Sequence, residues 1–211
     1  MRVFRVLPYV MAAVLCASAE LSAQGRPAGW LTRFDKGEHA GHGADSLAFQ
    51  DMKPGFHVTT GPAAILWHPD SSARGDFTIE STLHLFDTKG RDREGYGVFI
   101  GGRDLNADAQ SYTYFLLRND GKFIVKQRKG AETPTVAPWT DHASINKWST
   151  SAGSSVKNVL AVKAVGPTVQ FLVNGQVVHS APRATVNPDG IFGIRANHSV
   201  NLHVQTIGRA P

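Results

Sequence analysis

From Trp30 onward the chain alternates. In Asp76–Phe86 (DFTIESTLHLF), Phe77, Ile79, Leu83 and Leu85 fall on one side, and Thr78, Glu80, Thr82 and His84 on the other. Successive side chains of an extended strand point to opposite faces, so apolar residues two apart mark a strand with one buried face. The same reading applies to Lys122–Arg128, where Phe123 and Val125 oppose Lys122, Lys126 and Arg128. It applies again to Leu160, Val162 and Ala164, to Val169, Phe171 and Val173, and to Val200, Leu202 and Val204. Tyr96–Ile100 and Tyr112–Leu117 are apolar on both faces and predict central strands covered on both sides. No stretch carries the period of an amphipathic helix.

The turns agree with this reading. Asn119-Asp120-Gly121 separates Tyr112–Arg118 from Lys122–Arg128, and Asn174-Gly175 separates Thr168–Val173 from Gln176–His179. Asn and Gly accept the positive φ of tight hairpin turns. Pro188-Asp189-Gly190 ends a loop before Ile191–Ala196. About a dozen candidate strands and no internal repeat predict an all-β, two-sheet antiparallel sandwich rather than one open sheet. Ser149–Ser155 (STSAGSS) reads as a polar loop within one domain, because strand patterning resumes at once.

The N-terminus departs from the pattern. Arg2 and Arg5 precede an apolar run, Val6–Cys16, followed by small residues up to Ala23. That is the layout of a secretory signal peptide, with cleavage after Ala23 favoured over Ala19. The run is too short for the roughly 20 residues of a membrane span. A lipid anchor at Cys16 would want a small residue before it, and Leu15 stands there. The expected organisation is a signal peptide at 1–23, a short linker at 24–29 and one domain at 30–211. Cleavage removes the only cysteine of the 211 residues, which suits an exported protein folding without disulfides. The expected location is secreted or periplasmic, with no stable membrane insertion after cleavage. A formal charge of +5 is too small and too dispersed to argue for nucleic acid.

The second half contains a recognisable order of pieces. Asn158-Val-Leu-Ala-Val is followed by Val169-Gln-Phe-Leu-Val-Asn174-Gly175, then Asp189-Gly190-Ile-Phe-Gly193-Ile and a last alternating strand. Upstream stand Gly75-Asp-Phe-Thr-Ile-Glu and Gly97-Val-Phe-Ile-Gly-Gly. Over roughly residues 60–207 this order resembles the concanavalin A-like lectin/glucanase jelly rolls. It looks closest to laminin-G-like domains and to secreted bacterial domains grouped with 3-keto-disaccharide hydrolases. The resemblance implies a concanavalin A-like jelly-roll sandwich and a carbohydrate-related role. Its motifs are strands and turns, which speak for fold more than function. Two family patterns are missing. The keto-disaccharide N-S-G-x-x-x-R stretch is replaced by Gly95-Tyr-Gly-Val-Phe-Ile-Gly, and the glucanase E-x-D-x-x-E strand has no counterpart.

The residues that could do chemistry are few. Glycoside hydrolysis needs two carboxyls about 5–9.5 Å apart. Asp76 and Glu80, four apart on one strand, would lie about 13 Å apart, and Asp92 and Glu94 sit in a charged loop. Asp104-Leu-Asn106-Ala-Asp108 has the opening spacing of a calcium loop, but Ala109 and Phe115 stand where an EF-hand wants Gly and Glu. A polar hairpin loop is the simpler reading, so the expected cofactor is none, with calcium as the one ion to test. His39 and His42, with Glu38 and Asp45, could ligate a metal, but Gly41 and Gly43 give such ligands no rigid support. The other histidines, His57, His68, His84, His142, His179, His198 and His203, are scattered, and no G-x-S-x-G motif accompanies them. No catalytic or metal residue is assigned.

The basic strand face Lys122, Lys126, Arg128 and Lys129, with Arg118 near, fits an acidic polysaccharide better than nucleic acid in an exported protein. Sugars are commonly held on flat aromatic rings, with polar groups fixing their hydroxyls. That chemistry selects Trp67 and His68, and Tyr112 and Tyr114, whose spacing puts both rings on one face. It also selects Arg103 and Asp104, which follow Gly101-Gly102, where backbone could approach a ligand. Trp67, Tyr112 and Tyr114 serve equally well as core. Three functions stay open: a non-catalytic carbohydrate-binding or surface-interaction module, a glycoside hydrolase of the 3-keto-disaccharide type, and a structural envelope protein. No pattern speaks to oligomeric state.

Overall fold

The computed structural model of the chain describes residues 25–36, 47–87, 94–149 and 153–211. The elements run β1 (Leu31–Phe34), β2 (Leu47–Asp51), β3 (Phe56–Thr60), β4 (Ala64–Trp67), β5 (Ser72–Ala73), β6 (Phe77–Phe86), β7 (Tyr96–Arg103) and β8 (Ser111–Leu117). They continue as β9 (Lys122–Lys129), β10 (Thr135–Asp141), β11 (Ser155–Val165), β12 (Thr168–Val173), β13 (Gln176–Pro182), α1 (Arg183–Val186), β14 (Gly190–Ala196) and β15 (Asn201–Arg209). One sheet has eight strands in the order β1-β4-β14-β7-β8-β9-β10, with β5 paired to β14; the other has seven, β13-β12-β11-β6-β15-β3-β2. Neighbours that are distant in sequence, such as β4 beside β14 and β6 beside β15, make this a two-sheet antiparallel jelly roll. The strands beyond the dozen expected are short. β1 has four residues and β5 two, too few for a period of two to register. Among the described residues no helix is long and apolar enough to cross a membrane.

The main core lies between the sheets. Phe77, Ile79, Leu83 and Leu85 of β6 and Leu160, Val162 and Ala164 of β11 meet Val98 and Ile100 of β7 and Phe115 and Leu117 of β8. Phe115 and Phe171 hold their rings 5.3 Å apart across it. The intervening positions of the seven-stranded sheet face outward, as the alternation predicts.

The eight-stranded sheet differs, because its outer face is apolar too. Ile65, Trp67, Phe99, Tyr112, Tyr114, Leu116 and Ile124 alternate with inward residues and form a second cluster. Leu105 from the β7–β8 loop, Leu31 of β1 and Trp139 of β10 pack against it. Arg33 ties that loop down, donating from Nη1 to the Leu105 carbonyl at 3.2 Å and the Ala107 carbonyl at 2.6 Å. This is the expected double covering of β7 and β8, extended across the sheet.

Gly193 makes room for the second cluster. A Cβ built there would lie 2.3 Å from the Leu66 carbonyl oxygen and 2.7 Å from the Phe99 ring. Forcing atoms into a packed site costs about 1–3 kcal/mol. Gly193→Ala is therefore expected to lower the urea midpoint by a corresponding amount. At Gly208, a Cβ meets nothing within 4 Å, and Gly208→Ala should stay within about 0.5 kcal/mol of wild type. Equal midpoints for the two variants would refute this account of the sheet.

Candidate functional site

The outer face of the eight-stranded sheet contains one buried charge cluster. Arg195 alternates along β14 with the inward residues Ile194 and Ala196, so it points outward, where it is 5% exposed. It grips Asp35, just past β1, with both terminal nitrogens, at 2.8 and 2.5 Å. Arg128 of β9 reaches the same carboxylate at 2.9 Å. The Arg195 guanidinium lies 5.6 Å from the Tyr114 ring centre and donates to the Tyr112 hydroxyl at 3.5 Å. The Nε atoms of Arg195 and Arg128 are buried and make no hydrogen bond. Burial alone would raise the Asp35 carboxyl, but the hydrogen bonds and charges of Arg195 and Arg128 outweigh it and hold the pKa below its usual range. Burial likewise disfavours the Arg195 charge, and Asp35 restores it. Two guanidiniums share one carboxylate.

Beside this cluster, at the rim where α1 meets β7, β8 and β9, lies a cavity of about 150 Å³. Arg103, Ser111, Tyr112, Thr113, Gln127, Arg128, Lys129 and Asn187 contribute its polar lining. Thr113 and Gln127 point inward from their strands and anchor α1, donating to the Val186 carbonyl at 2.7 Å and the Thr185 carbonyl at 2.6 Å. Arg103 donates to the Asn187 side-chain oxygen at 3.2 Å and the Asp189 carbonyl at 2.9 Å. Gly101 has φ +67°, and a Cβ there would lie 2.2 Å from the Asn187 carbonyl oxygen. Gly101 thus admits the chain leaving α1 and also lines the cavity. A second hollow, of about 410 Å³ and without charged lining, lies against Pro27, Trp30, Phe56 and Gln205.

The six residues selected from sequence separate. Trp67, Tyr112 and Tyr114 come together in the outer cluster, with the two tyrosine rings 5.9 Å apart. They are 2%, 3% and 8% exposed, so none offers a ring face to solvent. Arg103 and Tyr112 line the rim cavity; Trp67, His68, Asp104 and Tyr114 do not. His68 pairs with Asp70 at 3.7 Å and covers Gly29. Asp104 opens the β7–β8 loop at φ 52° and accepts from the Ala107 amide at 2.8 Å. Thr113, Gln127 and Asn187 were missed, because nothing in an alternating strand says which polar residue faces a cavity. Asp35 and Arg195 were missed because 160 residues separate them.

The charged groups are largely paired. In the loop weighed for calcium, Asp108 is held by Lys36 at 2.6 Å and Arg33 at 2.9 Å. The hydrogen bonds from Lys36 and then Arg33 keep its carboxyl below the usual range. Arg118 pairs with Asp120 at 2.6 Å and lies over Trp139, and Lys122 pairs with Asp141. Of the expected basic strand face, Lys122 and Arg128 are thus ion-paired, whereas Lys126, which donates to the Thr133 hydroxyl at 3.2 Å, and Lys129 have no ion pair among the described residues. Glu38, His39, His42, Asp45 and Asp92 lie outside the described residues, as does the expected signal peptide.

Three of the scattered histidines form a row. Strand pairing sets His57 of β3 and His84 of β6 on either side of His203 of β15. The ring centres lie 6.4 and 5.6 Å from His203. His57 and His84 hydrogen-bond Asn201 and Gln205, at 2.6 and 2.7 Å. Burial first, then the neighbouring His84, push the His203 pKa down. Among the described residues no group of three or more side chains is arranged to hold a metal.

Asp35→Asn leaves Arg195 and Arg128 without a carboxylate. Removing one partner of a buried pair costs about 3–5 kcal/mol, so the variant is expected to unfold at markedly lower urea. A carboxyl with a depressed folded pKa stabilises above its unfolded value and loses that contribution as pH falls toward the folded value. From about pH 5 to about pH 2, wild type should therefore lose more stability than Asp35→Asn. Tryptophan fluorescence during urea unfolding reads both, and parallel acid profiles would refute the pairing.

No family model matches the sequence, and no curated protein matches it. Solved structures do match in shape. A carbohydrate-binding module, CBM66, from Bacillus subtilis superposes with a TM-score of 0.60 at 14% identity, over 87% of this chain and 96% of that one. A Bacteroides ovatus mixed linkage glucan GH16 protein in complex with a product gives 0.58 at 9% identity, over 88% and 96%. The exoplasmic/lumenal domain of VIP36, in a form bound to Ca2+ and Man2, gives 0.55 at 11% identity, over 88% and 83%. At such identities the likeness carries the fold, and the fold is a concanavalin A-like jelly-roll sandwich.

Proposed function

We propose that this chain is an exported, non-catalytic carbohydrate-binding module whose ligand enters the rim cavity between α1 and the eight-stranded sheet. One observation carries the reading. The rim cavity is lined by hydroxyl, amide and cationic groups beside Tyr112, and no carboxyl stands among its lining residues. That is a lining for holding sugar hydroxyls rather than for acid–base cleavage, which needs a carboxyl pair. The fold supports it, since neighbours of the same shape are described as a carbohydrate-binding module and as a Man2-bound domain. The Ser111 hydroxyl and the Gln127 amide oxygen take part in no hydrogen bond among the described residues, so both are available to a ligand.

Export follows from Arg2, Arg5, the apolar run and the small residues up to Ala23. N-terminal sequencing of protein recovered outside the cytoplasm should begin at Gln24; a start at Met1 would contradict it. A glycan-array screen, repeated with a chelator, tests the binding reading. Saturable binding to at least one glycan is expected, unchanged by chelation. A ligand at one hundred times its Kd should add about 2.7 kcal/mol to stability and raise Tm. Folded protein that binds no glycan would overturn the reading.

A further inference from the structure

We propose that the rim cavity is selective for acidic saccharides, the anionic group of the sugar docking between Arg103 and Lys129. The proposal rests on the carbohydrate-binding reading and narrows its ligand class. Its basis is a local imbalance of charge. Of the twelve residues lining the cavity, three are cationic and none is acidic. Two of the three retain their charge. The partners of Arg103 are the Asn187 amide oxygen and the Asp189 carbonyl, both neutral. The Arg128 guanidinium is paired with Asp35 on the outer face of the sheet, so Arg103 and Lys129 supply the charge. Lys129 is exposed and has no ion pair among the described residues; Glu132, across an isolated bridge from it, makes none with it.

The contrast with the rest of β9 sharpens the point. Lys122 is neutralised by Asp141, and Arg118, at the end of β8, by Asp120. The remaining β9 cation without an ion pair among the described residues, Lys126, lies outside the cavity lining. Guanidinium forks match carboxylate and sulfate geometry. Ser111 and Gln127 lie within the same lining to take the neighbouring hydroxyls. A cavity of about 150 Å³ accepts one charged sugar unit rather than a buried chain. The rest of an acidic polysaccharide would run over the rim.

Isothermal titration of the purified protein tests this with four probes: polygalacturonate, heparin, neutral dextran and a single-stranded oligonucleotide. Polygalacturonate, heparin or both should bind, at least tenfold tighter than dextran and the oligonucleotide, and binding should weaken as salt rises. The pair of acidic probes tells carboxylate from sulfate. Arg103→Ala and Lys129→Glu should each weaken binding at least tenfold in protein that remains folded, whereas Lys163→Glu, on the other sheet, should leave it intact. Dextran binding without acidic-glycan binding would overturn this inference and leave the carbohydrate reading standing. No binding to any saccharide would overturn both. Equal affinity for the oligonucleotide, or equal losses in all three variants, would reduce the effect to general attraction between opposite charges and overturn the inference.

Discussion

A sheet buried on both faces leaves little room for an isolated charge, and two guanidiniums, Arg195 and Arg128, lie in the outer layer of this one. Asp35 is what makes that possible. It enters just past β1, at the sheet edge, and closes on Arg195 and Arg128 over the strands between. Around it the outer apolar cluster packs, with Arg33 pinning the β7–β8 loop on top. An isolated buried charge is far costlier than an isolated buried polar group. The first described strand is thus tied electrostatically to the middle of the sheet, and the two layers of apolar packing are compatible only because of that tie.

The same arrangement shapes the rim cavity. Tyr112 of β8 and Arg128 of β9 face the outer layer, and the same two strands line the cavity. On the inner side, Thr113 and Gln127 hold α1 by its carbonyls, and Gly101 lets the chain leaving α1 pass close. The cavity walls are therefore rigid elements with side chains fixed from behind, the condition for a preorganised polar site.

Much of the architecture could be read from the chain because strands announce themselves by a period of two. Phe77–Leu85, Leu160–Ala164 and Val169–Val173 face the core as that period requires. Tyr112 and Tyr114 share a face for the same reason. What the period cannot say is whether a face is wet. Trp67, Tyr112 and Tyr114 suit a stacking platform and a core equally well by sequence, and they are packed with Leu105, Leu31 and Trp139. Register across distant strands was equally hidden. It gathers His57, His84 and His203 into one row and sets Arg195 against Asp35. Arg103 was found because it follows a glycine pair, although the glycines serve the approach of Asn187.

The most direct test is an amide chemical-shift titration of isotope-labelled protein with a short oligogalacturonate. The account predicts saturable shifts confined to Gly101, Arg103, Ser111, Gln127–Lys129 and Ala184–Asn187, which surround the rim cavity. Shifts centred instead on Trp30, Gly55 and Gln205, around the uncharged hollow, would contradict it.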